Sequence, residues 1–277
     1  MECIINDFEI YHKTNKDNIR LVNHHHSTHE IIFVRKGKSD FLIDGKKYSL
    51  KQNCLLFIAN FEKHMHSSYE TPYERYYMLL SNNMLDSNLL DQRLLSILRN
   101  RPAEYCHMAE LTESEAEQAE MLFKELIAES NSNSPYRTSL LKLKLTELII
   151  YLFRCSPQNF IDYNNDSYAD TIVTIQQYLN KHYSEPLLLK DVAAVHYTDM
   201  YYLSTKFKEM VGYSFKQYLT NLRISHAKMM LQNSKHPISK IAVDCGFSES
   251  TNFIRVFKKS EGTSPLKYRI ESLKDVM

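Results

Sequence analysis

The densest group of side chains that could do chemistry lies near the start of the chain, in the segment HHHSTHE that begins at His24. Alternate residues of an extended strand share a face, so His24, His26 and Glu30 would point to one side. Imidazole and carboxylate groups bind first-row divalent metals, and they also hydrogen-bond polar small molecules. His25 and His29 would point to the other side, where we expect solvent. The segment therefore predicts a binding site and leaves its occupant open.

The composition is that of a soluble globular protein and argues against two kinds of site. Of the 277 residues, 43% are hydrophobic and 24% are charged, which is usual for this class. Only 5 glycines occur, and neither GxGxxG nor GxxxxGK[ST] is present, so a nucleotide-binding loop is not expected. The 5 cysteines lack CxxC spacing and predict free thiols in a reducing cytoplasm. No signal peptide or membrane-spanning run is expected.

Residues 1–82 have the pattern of β structure. The short apolar segments EIIFVRKG, SDFLIDGKKYSL and NCLLFIAN are separated by turn residues. Asp44 and Gly45 predict a type I′ hairpin, because glycine readily adopts the positive φ that this turn needs. Several short strands at close spacing predict a small antiparallel barrel or sandwich.

The pattern changes to helical in residues 83–155. Thr112 followed three residues later by Glu115 predicts a capping box at a helix start. The apolar stripe over residues 138–154 is wider than a surface helix usually needs. It predicts packing against the β structure, pairing with a second copy of the chain, or both. The polar segment 156–167 has no periodicity and predicts a linker.

The last part of the chain, residues 168–277, contains an internal repeat with a period close to 50 residues. Residues 166–277 carry 15 Lys/Arg and 11 Asp/Glu, whereas the first 165 residues carry 19 and 22, so the last part is the mildly basic one. Matched positions are apolar, glycine or aromatic, which a chance similarity would not sustain. The matched pairs are Val192 and Ile241, Ala193 and Ala242, Leu203 and Phe253, Phe207 and Phe257, Gly212 and Gly262, and Tyr218 and Tyr268.

Each repeat predicts a short helix with a small residue, a turn, and a second helix anchored by apolar residues at i and i+4. This is the helix-turn-helix pattern, whose second helix enters the DNA major groove. The 3.6-residue period then places short hydrogen-bonding groups and cations on the opposite, outward face. The residues of that face are Tyr201, Ser204, Thr205 and Lys208 in the first repeat and Ser250, Thr251, Asn252, Arg255 and Lys258 in the second. Such groups contact base edges and phosphates, and Arg255 is the best candidate for a bidentate contact to guanine.

The blocks LKDVA, YLSTKFKEMVGYSFKQYL, LRISHAKMML, ISKIAVDCGF and NFIRVFKKSEGTSPLKYR resemble the DNA-binding region of AraC-type (AraC/XylS) transcription regulators of bacteria. The resemblance implies two tandem helix-turn-helix motifs that read successive major-groove segments of promoter DNA. It also implies an N-terminal sensor for a small-molecule effector, a homodimer, RNA polymerase as a partner and a cytoplasmic location.

The sensor of many such regulators is a cupin barrel, and part of this chain is similar to the cupin motifs. His24, His26, Glu30 and Gly37 match the first motif in type and spacing, whereas only His64 remains of the second. The resemblance implies that His24, His26, Glu30 and His64 bind the ligand. Three interpretations stay open: a sugar-like molecule without metal, a divalent transition metal held by these four side chains, and a barrel with no binding role.

We therefore expect a two-domain α+β fold, with an N-terminal cupin-like antiparallel β-barrel flanked by helices and a C-terminal all-α double helix-turn-helix domain. The expected function is ligand-responsive transcription regulation, with no catalytic residues and no required cofactor. The alternative is a metal-dependent cupin enzyme or a metal-sensing regulator. The four side chains that could bind a metal favour the metal-dependent enzyme. The tandem repeat with its matched outward faces favours the regulator.

Overall fold

The structure is a computed structural model that describes residues 8–17, 22–24, 28–85, 94–99, 105–159 and 169–274. The chain divides into two compact units, which we call the N-terminal unit (6–169) and the C-terminal unit (170–277). In the part of the chain that is described, no helix is long and apolar enough to cross a membrane.

The N-terminal unit is built on a seven-stranded antiparallel sheet, as the sequence predicts for this part of the chain. The order β1-β6-β3-β5-β7 forms its main path, while β2 pairs with β6 and β4 pairs with β3. The strands are β1 (Phe8–Asn15), β2 (Val22–His24), β3 (His29–Ile43), β4 (Lys46–Leu50), β5 (Cys54–Ile58), β6 (His64–Leu80) and β7 (Met108–Glu110). The hairpin at Asp44 and Gly45 is confirmed, since both residues have positive φ between β3 and β4.

Two long strands replace the several short ones that the sequence predicts. β3 runs through Gly37, so EIIFVRKG and SDFLID belong to one strand. The register with β6 shifts around Gly37, whose φ is +80°. A Cβ on Gly37 would lie 2.7 Å from the carbonyl oxygen of Pro72, so only glycine allows β6 to approach this closely. The irregularity lets the sheet bend while pairing continues.

The sheet has two packed faces, because successive strand residues point to opposite sides. The inner face joins both halves of β3 in one apolar cluster. Its members are Ile32, Val34, Phe41, Ile43, Tyr48, Leu50, Cys54, Leu56, Ile58 and Tyr73. The outer face, which includes Ile31, Phe33, Leu55, Phe57, Tyr76 and Met78, packs against helices.

Those helices are α1 (Asn82–Leu85), α2 (Ser96–Arg99), α3 (Glu113–Ser130) and α4 (Arg137–Cys155). The capping box at Thr112 and Glu115 is confirmed at the start of α3. α3 is tied to the sheet by Arg35, whose Nε donates to Glu120 at 2.9 Å and whose guanidinium also bonds Asn53. α4 buries Leu141, Leu145, Leu148, Ile149 and Leu152 and leaves Leu140, Leu143 and Phe153 exposed.

Residues 156–159, which the sequence assigns to a linker, are packed on the N-terminal unit. Ser156 and Asn159 are buried, and Pro157–Asn159 form one turn of 3-10 helix. The Asn159 amide donates to the carbonyl oxygens of Cys106 and Met108 at 3.1 and 2.9 Å. Residues 160–167 of that segment lie outside the described residues.

The C-terminal unit is helical throughout its described part, as expected. Its helices are α5 (Ala169–His182), α6 (Leu189–Val195), α7 (Met200–Val211), α8 (Phe215–Asn233), α9 (Ile238–Asp244), α10 (Ser250–Glu261) and α11 (Pro265–Lys274). α8 joins the two repeats and buries Leu219, Leu222 and Ala227, with Met230 partly buried against the second repeat.

Candidate functional site

Two helix-turn-helix units form the candidate DNA-binding surface. The first is α6 with α7, and the second is α9 with α10. Ala193 and Ala242 are buried where the two helices of each unit meet. Leu203 and Phe207 anchor α7, and the matched Phe253 and Phe257 anchor α10, all with almost no exposed surface. The repeat therefore folds as the 3.6-residue period predicts.

The outward faces of α7 and α10 carry the predicted DNA-contact residues. Eight of the nine are exposed, namely Tyr201, Ser204, Thr205, Lys208, Thr251, Asn252, Arg255 and Lys258. Ser250, the first residue of α10, is half-buried. Their roles in contacting DNA stay predictions.

Electrostatics favour an anionic partner at the second unit. Arg255 donates from Nη2 to the side-chain oxygen of Asn252 at 2.9 Å, which holds its guanidinium over the exposed face. Neither Arg255 nor Lys258 makes an ion pair with any described carboxylate. Their charges are therefore available to DNA phosphates or base acceptors.

The turns of the two units share one backbone geometry but differ in side chains. Thr198 N donates to the Ala193 carbonyl at 3.0 Å, and the matched Phe247 N donates to Ala242 at 2.9 Å. Gly246 has a φ of +81°, whereas Tyr197 takes the same turn position with a φ of +51° and is 99% exposed. Non-glycine residues adopt this region at a cost of about 1–2 kcal/mol. The sequence analysis missed Tyr197, although its alignment with Gly246 in the repeat was a usable signal.

Within the part of the chain that the structure describes, the first turn also contains buried polar atoms without hydrogen bonds. His196 Nε2 and Thr198 Oγ1 are buried and have no hydrogen-bond partner among the described residues. Burial lowers the pKa of His196, because the charged ring would lose its hydration. The matched residues of the second turn are the buried, apolar Cys245 and Phe247. The second turn is therefore the better packed of the two.

In the N-terminal unit, the structure brings two of the four candidate ligand-binding side chains together. Glu30 on β3 and His64 on β6 are both buried, and His64 Nε2 lies 3.5 Å from Glu30 Oε2. The other ring nitrogen of His64 donates to the Glu62 carbonyl at 2.9 Å. β2 pairs with β6 so that His24 stands opposite His64 in the ladder. His26 lies outside the described residues.

The metal interpretation stays a prediction. Among the side chains that the structure describes, no three His, Cys, Asp or Glu residues gather closely enough to hold a metal ion. Of the predicted set of His24, His26, Glu30 and His64, the structure describes the side chains of Glu30 and His64 only, so it tests the set only in part.

The prediction that His29 is solvated is wrong. His29 does point away from Glu30, but it is only 1% exposed. Its Nδ1 lies 2.8 Å from the Leu98 carbonyl oxygen, and its Nε2 lies 2.9 Å from the side-chain oxygen of Asn82. The chain segment after β6 covers this face. Strand alternation predicts the side to which His29 points, but it does not predict whether another segment packs on that side. His25 lies outside the described residues.

A second polar group, which the sequence analysis missed, lies beside His64. Glu62 accepts a hydrogen bond from His107 Nε2 at 2.9 Å, and Tyr48 OH bonds His107 Nδ1 at 2.7 Å. The three residues come from β4, from the turn after β5 and from the approach to β7, so no local spacing could have linked them. Their hydrogen bonds hold the turn at residues 59–63. This turn includes Glu62, whose carbonyl oxygen accepts the hydrogen bond from His64.

Glu30 controls the protonation of His64, and this predicts a pH-dependent stability. Burial opposes the charged ring, but the hydrogen bond and negative charge of Glu30 outweigh it and raise the pKa of His64 above 6.5. The stabilisation is full below 6.5 and is lost as the pH rises through the raised pKa of the folded state. The loss of unfolding free energy in Glu30→Gln should therefore be larger at about pH 6 than at about pH 9.

Urea unfolding followed by circular dichroism measures this difference. Glu70→Gln is the matched control, because Glu70 pairs with Lys38 on the surface rather than with a histidine. Its effect should be the same at both pH values. A Glu30→Gln effect that does not change with pH would contradict the assigned protonation of His64.

Comparisons with known proteins agree with the description of both the N-terminal unit and the helix-turn-helix units. A family model described as "AraC-like ligand binding domain" matches residues 7–149, more than half of the chain. A second model, described as "Helix-turn-helix domain", matches residues 192–270.

Relatives of known role and structure cover nearly the whole chain. The HTH-type transcriptional activator RhaS of Enterobacter sp. (strain 638) is 23% identical over 250 residues, which is 89% of this chain and 86% of that protein. RhaS of Escherichia coli O139:H28 is 23% identical over 256 residues, with the same coverage. The crystal structure of ToxT from Vibrio cholerae covers 95% of this chain and 97% of its own, with a TM-score of 0.56 and 13% identity. ToxT from Vibrio cholerae O395 gives a TM-score of 0.55 with 14% identity, covering 96% of this chain and 98% of its own.

The structural likeness at this identity shows a shared fold, and the matching family models identify a ligand-binding domain and a helix-turn-helix domain within it. An antiparallel sheet unit that matches a ligand-binding family is joined here to two helix-turn-helix units in tandem. The chain therefore belongs to the AraC-type (AraC/XylS) family of DNA-binding transcription regulators with a ligand-binding domain.

Proposed function

We propose that this protein binds specific promoter sequences through both helix-turn-helix units and responds to a small polar effector held in the N-terminal unit. The observation that carries the DNA half is the matched pair of exposed faces, each supported by buried apolar anchors at i and i+4. One such face on a single helix is common on protein surfaces. Two in a repeat, both with hydrogen-bonding groups and cations, favour groove recognition.

The effector class that we propose is a sugar or a similar polar metabolite, bound on the inner face beside Glu30 and His64. This buried ion pair supports the proposal, because a carboxylate accepts hydrogen bonds and a protonated imidazole donates them. Hydroxyl groups do both. An effector acts by binding one of two conformations more tightly and so shifting their populations.

RNA polymerase and a second copy of the chain are the further partners that we propose. RhaS is a transcriptional activator, and this role of a relative supports contact with RNA polymerase. The exposed Leu140, Leu143 and Phe153 on α4 support a homodimer, since apolar side chains of one helix face are covered when two helices pair.

Arg255→Ala tests the DNA half of the proposal. The probe is a DNA duplex selected by the wild-type protein from a random library, so no promoter has to be known beforehand. We expect the affinity for this duplex to fall by about 1–3 kcal/mol, roughly 5- to 150-fold, if Arg255 reads a base. Binding to duplexes of random sequence should change far less, because it depends on phosphate contacts.

Lys36→Ala is the matched control, since Lys36 is an exposed cation of the N-terminal unit that lies outside α4. Its removal changes the net charge by the same amount and should leave the affinity unchanged. Equal affinity of wild type and Arg255→Ala for the selected duplex would refute the base-reading role. Sedimentation of the same preparation reports its mass, and a monomer with and without the duplex would contradict the homodimer.

A further inference from the structure

The inner face of the sheet carries a second group of polar side chains, on β1 and the end of β6, that no motif predicts. Tyr11 stands opposite Tyr77, and Lys13 stands opposite Arg75 in the antiparallel ladder. On the other side of β6, Tyr77 is opposite Ile32 and Arg75 is opposite Val34. Ile32 and Val34 belong to the inner apolar cluster, and opposite residues in a ladder share a face. These four side chains therefore extend the inner face to its edge strand.

The rings of Tyr11 and Tyr77 stack on each other, and a cation lies near each ring. The Tyr11 and Tyr77 ring centroids are 5.1 Å apart, with 28° between the planes. Lys13 Nζ lies 5.5 Å from the Tyr11 centroid and 5.3 Å from that of Tyr77. The Arg75 guanidinium lies 4.8 Å from the Tyr73 ring and 5.6 Å from the Tyr77 ring. Cation–π contacts of this kind hold the two charged groups in place before any ligand arrives.

The described residues contain no carboxylate that pairs with either cation of this group. Arg75 Nη1 donates to the side-chain oxygen of Asn15 at 2.6 Å, which orients it without neutralising it. Neither Lys13 nor Arg75 forms an ion pair with a carboxylate in the described ranges, whereas Lys38 nearby pairs with Glu70 at 2.7 Å. Like charges directly opposite each other in a ladder destabilise a sheet. An anion between Lys13 and Arg75 would remove that repulsion.

Carboxylates lie at the other end of the same face. Glu30 is opposite Leu79, four residues along β6 from Arg75, which corresponds to about 13 Å of strand. Glu9, which accepts a hydrogen bond from Tyr11 OH at 3.1 Å, is opposite Leu79 from the β1 side. The inner face therefore has cationic side chains at the end marked by Arg75, with exposed aromatic surface beside them; Tyr11 alone is 40% exposed.

We propose that the effector is an anionic sugar derivative, a sugar acid or a sugar phosphate, whose ring lies on Tyr11 and Tyr77 and whose anionic group lies between Lys13 and Arg75. This inference rests on the proposed effector site of the N-terminal unit and names the class of its ligand. The apolar C–H face of a sugar ring packs on aromatic rings, as apolar ligand surfaces do in binding sites.

The first test needs no ligand. High salt should relieve the repulsion between Lys13 and Arg75 in wild type but not in Lys13→Gln, which keeps only one of the two charges. Raising NaCl from low salt to about 1 M, where charges are screened over about 3 Å, should therefore raise the melting temperature of wild type by about 1–2 °C more than that of Lys13→Gln. Comparing each protein with itself leaves out the cation–π contacts that Lys13→Gln loses. Lys235→Gln, which removes an exposed lysine of the C-terminal unit, is the control and should respond to salt as wild type does. An equal salt effect on wild type and Lys13→Gln would contradict the uncompensated repulsion.

The second test uses matched pairs of ligands at constant ionic strength. Glucuronate is compared with glucose, and glucose 6-phosphate with glucose, by calorimetric titration of the full chain; inorganic phosphate is run alone. We expect an anionic member to bind and glucose to bind at least about 10-fold more weakly, a difference of about 1.4 kcal/mol. The two pairs separate a carboxylate preference from a phosphate preference.

Variants place the binding on the named residues. Arg75→Gln and Lys13→Gln should each weaken binding of the anionic ligand about 10-fold or more, whereas Lys235→Gln should not. Arg75→Lys keeps the charge and should retain most of the affinity, which separates loss of charge from loss of folding. Equal binding of glucose and its anionic partner, binding of no anion in the panel, or unchanged binding in both glutamine variants would each overturn the proposal. Failure of the wild-type protein to select any DNA duplex would instead refute the proposed function, so the two failures are distinguishable.

Discussion

Phe257→Ala is expected to lower the free energy of unfolding of the C-terminal unit by about 3–5 kcal/mol, the usual cost of truncating a buried phenylalanine. Phe257 has no exposed surface, and its ring makes edge-to-face contacts with Phe253 and Tyr268 at centroid distances of 5.6 and 5.5 Å. It connects α10 to α11 and to the cluster around Ile241. Because the ring supports the helix that presents Arg255, its loss should also abolish binding to the selected duplex.

Urea unfolding measures the change by far-UV circular dichroism, since the chain contains no tryptophan for fluorescence. Ile254→Ala is the matched control on the same helix. Ile254 is 41% exposed, and surface substitutions usually change stability by no more than about 0.5 kcal/mol. Similar costs for the two substitutions would show that α10 does not bury the face assigned to it.

Gly246→Ala is expected to be the second most damaging change, and the reason is partly backbone conformation and partly crowding. A residue with a Cβ at a φ of +81° costs about 1–2 kcal/mol. The added Cβ would also lie 2.8 Å from the Ser184 carbonyl oxygen and 2.9 Å from that of Tyr183. Overpacking against atoms that cannot move away costs about a further 1–3 kcal/mol. The sum is about 2–5 kcal/mol of unfolding free energy.

Gly262→Ala separates the two contributions. Gly262 has a φ of +74°, but nothing lies within 4 Å of the position that its Cβ would take. Gly262→Ala should therefore lower the free energy of unfolding only by the cost of the backbone conformation, about 1–2 kcal/mol. The same urea titration on both variants gives the crowding contribution by difference. If Gly246→Ala and Gly262→Ala cost the same, the close approach of Ser184 to the second turn is not important for stability.

The close approach at Gly246 also brings the second helix-turn-helix unit against the end of α5 and the connecting helix α8. Arg223 on α8 donates to the carbonyl oxygens of Tyr183 and Glu185 at 2.8 and 2.7 Å, just after α5 ends. Its guanidinium lies 5.9 Å from the Phe247 ring of the second turn. The end of α5, the connecting helix α8 and the second turn therefore meet at one point, and Gly246 is the residue that lets them meet.

Local pattern was enough to predict the double helix-turn-helix. The i and i+4 spacing of Leu203 and Phe207, repeated at Phe253 and Phe257, depends only on the helical period. The capping box at Thr112 and the hairpin at Asp44 depend on backbone groups within a few residues of each other. Such features are encoded in consecutive residues, because the interactions that form them are short in sequence as well as in space.

Tertiary structure alone decided the rest. His29 is buried because a segment about 70 residues later covers it, and Lys13 faces Arg75 because β1 pairs with the end of a strand about 60 residues away. Gly37 allows one long bent strand where the pattern indicates two short ones. In each case the outcome depends on which distant segments pack together, and that choice is made by the burial of the whole core rather than by the neighbours of any one residue. The sequence by itself thus determined the helix-turn-helix elements and their exposed faces, whereas only the folded sheet brought together the side chains of the proposed ligand site.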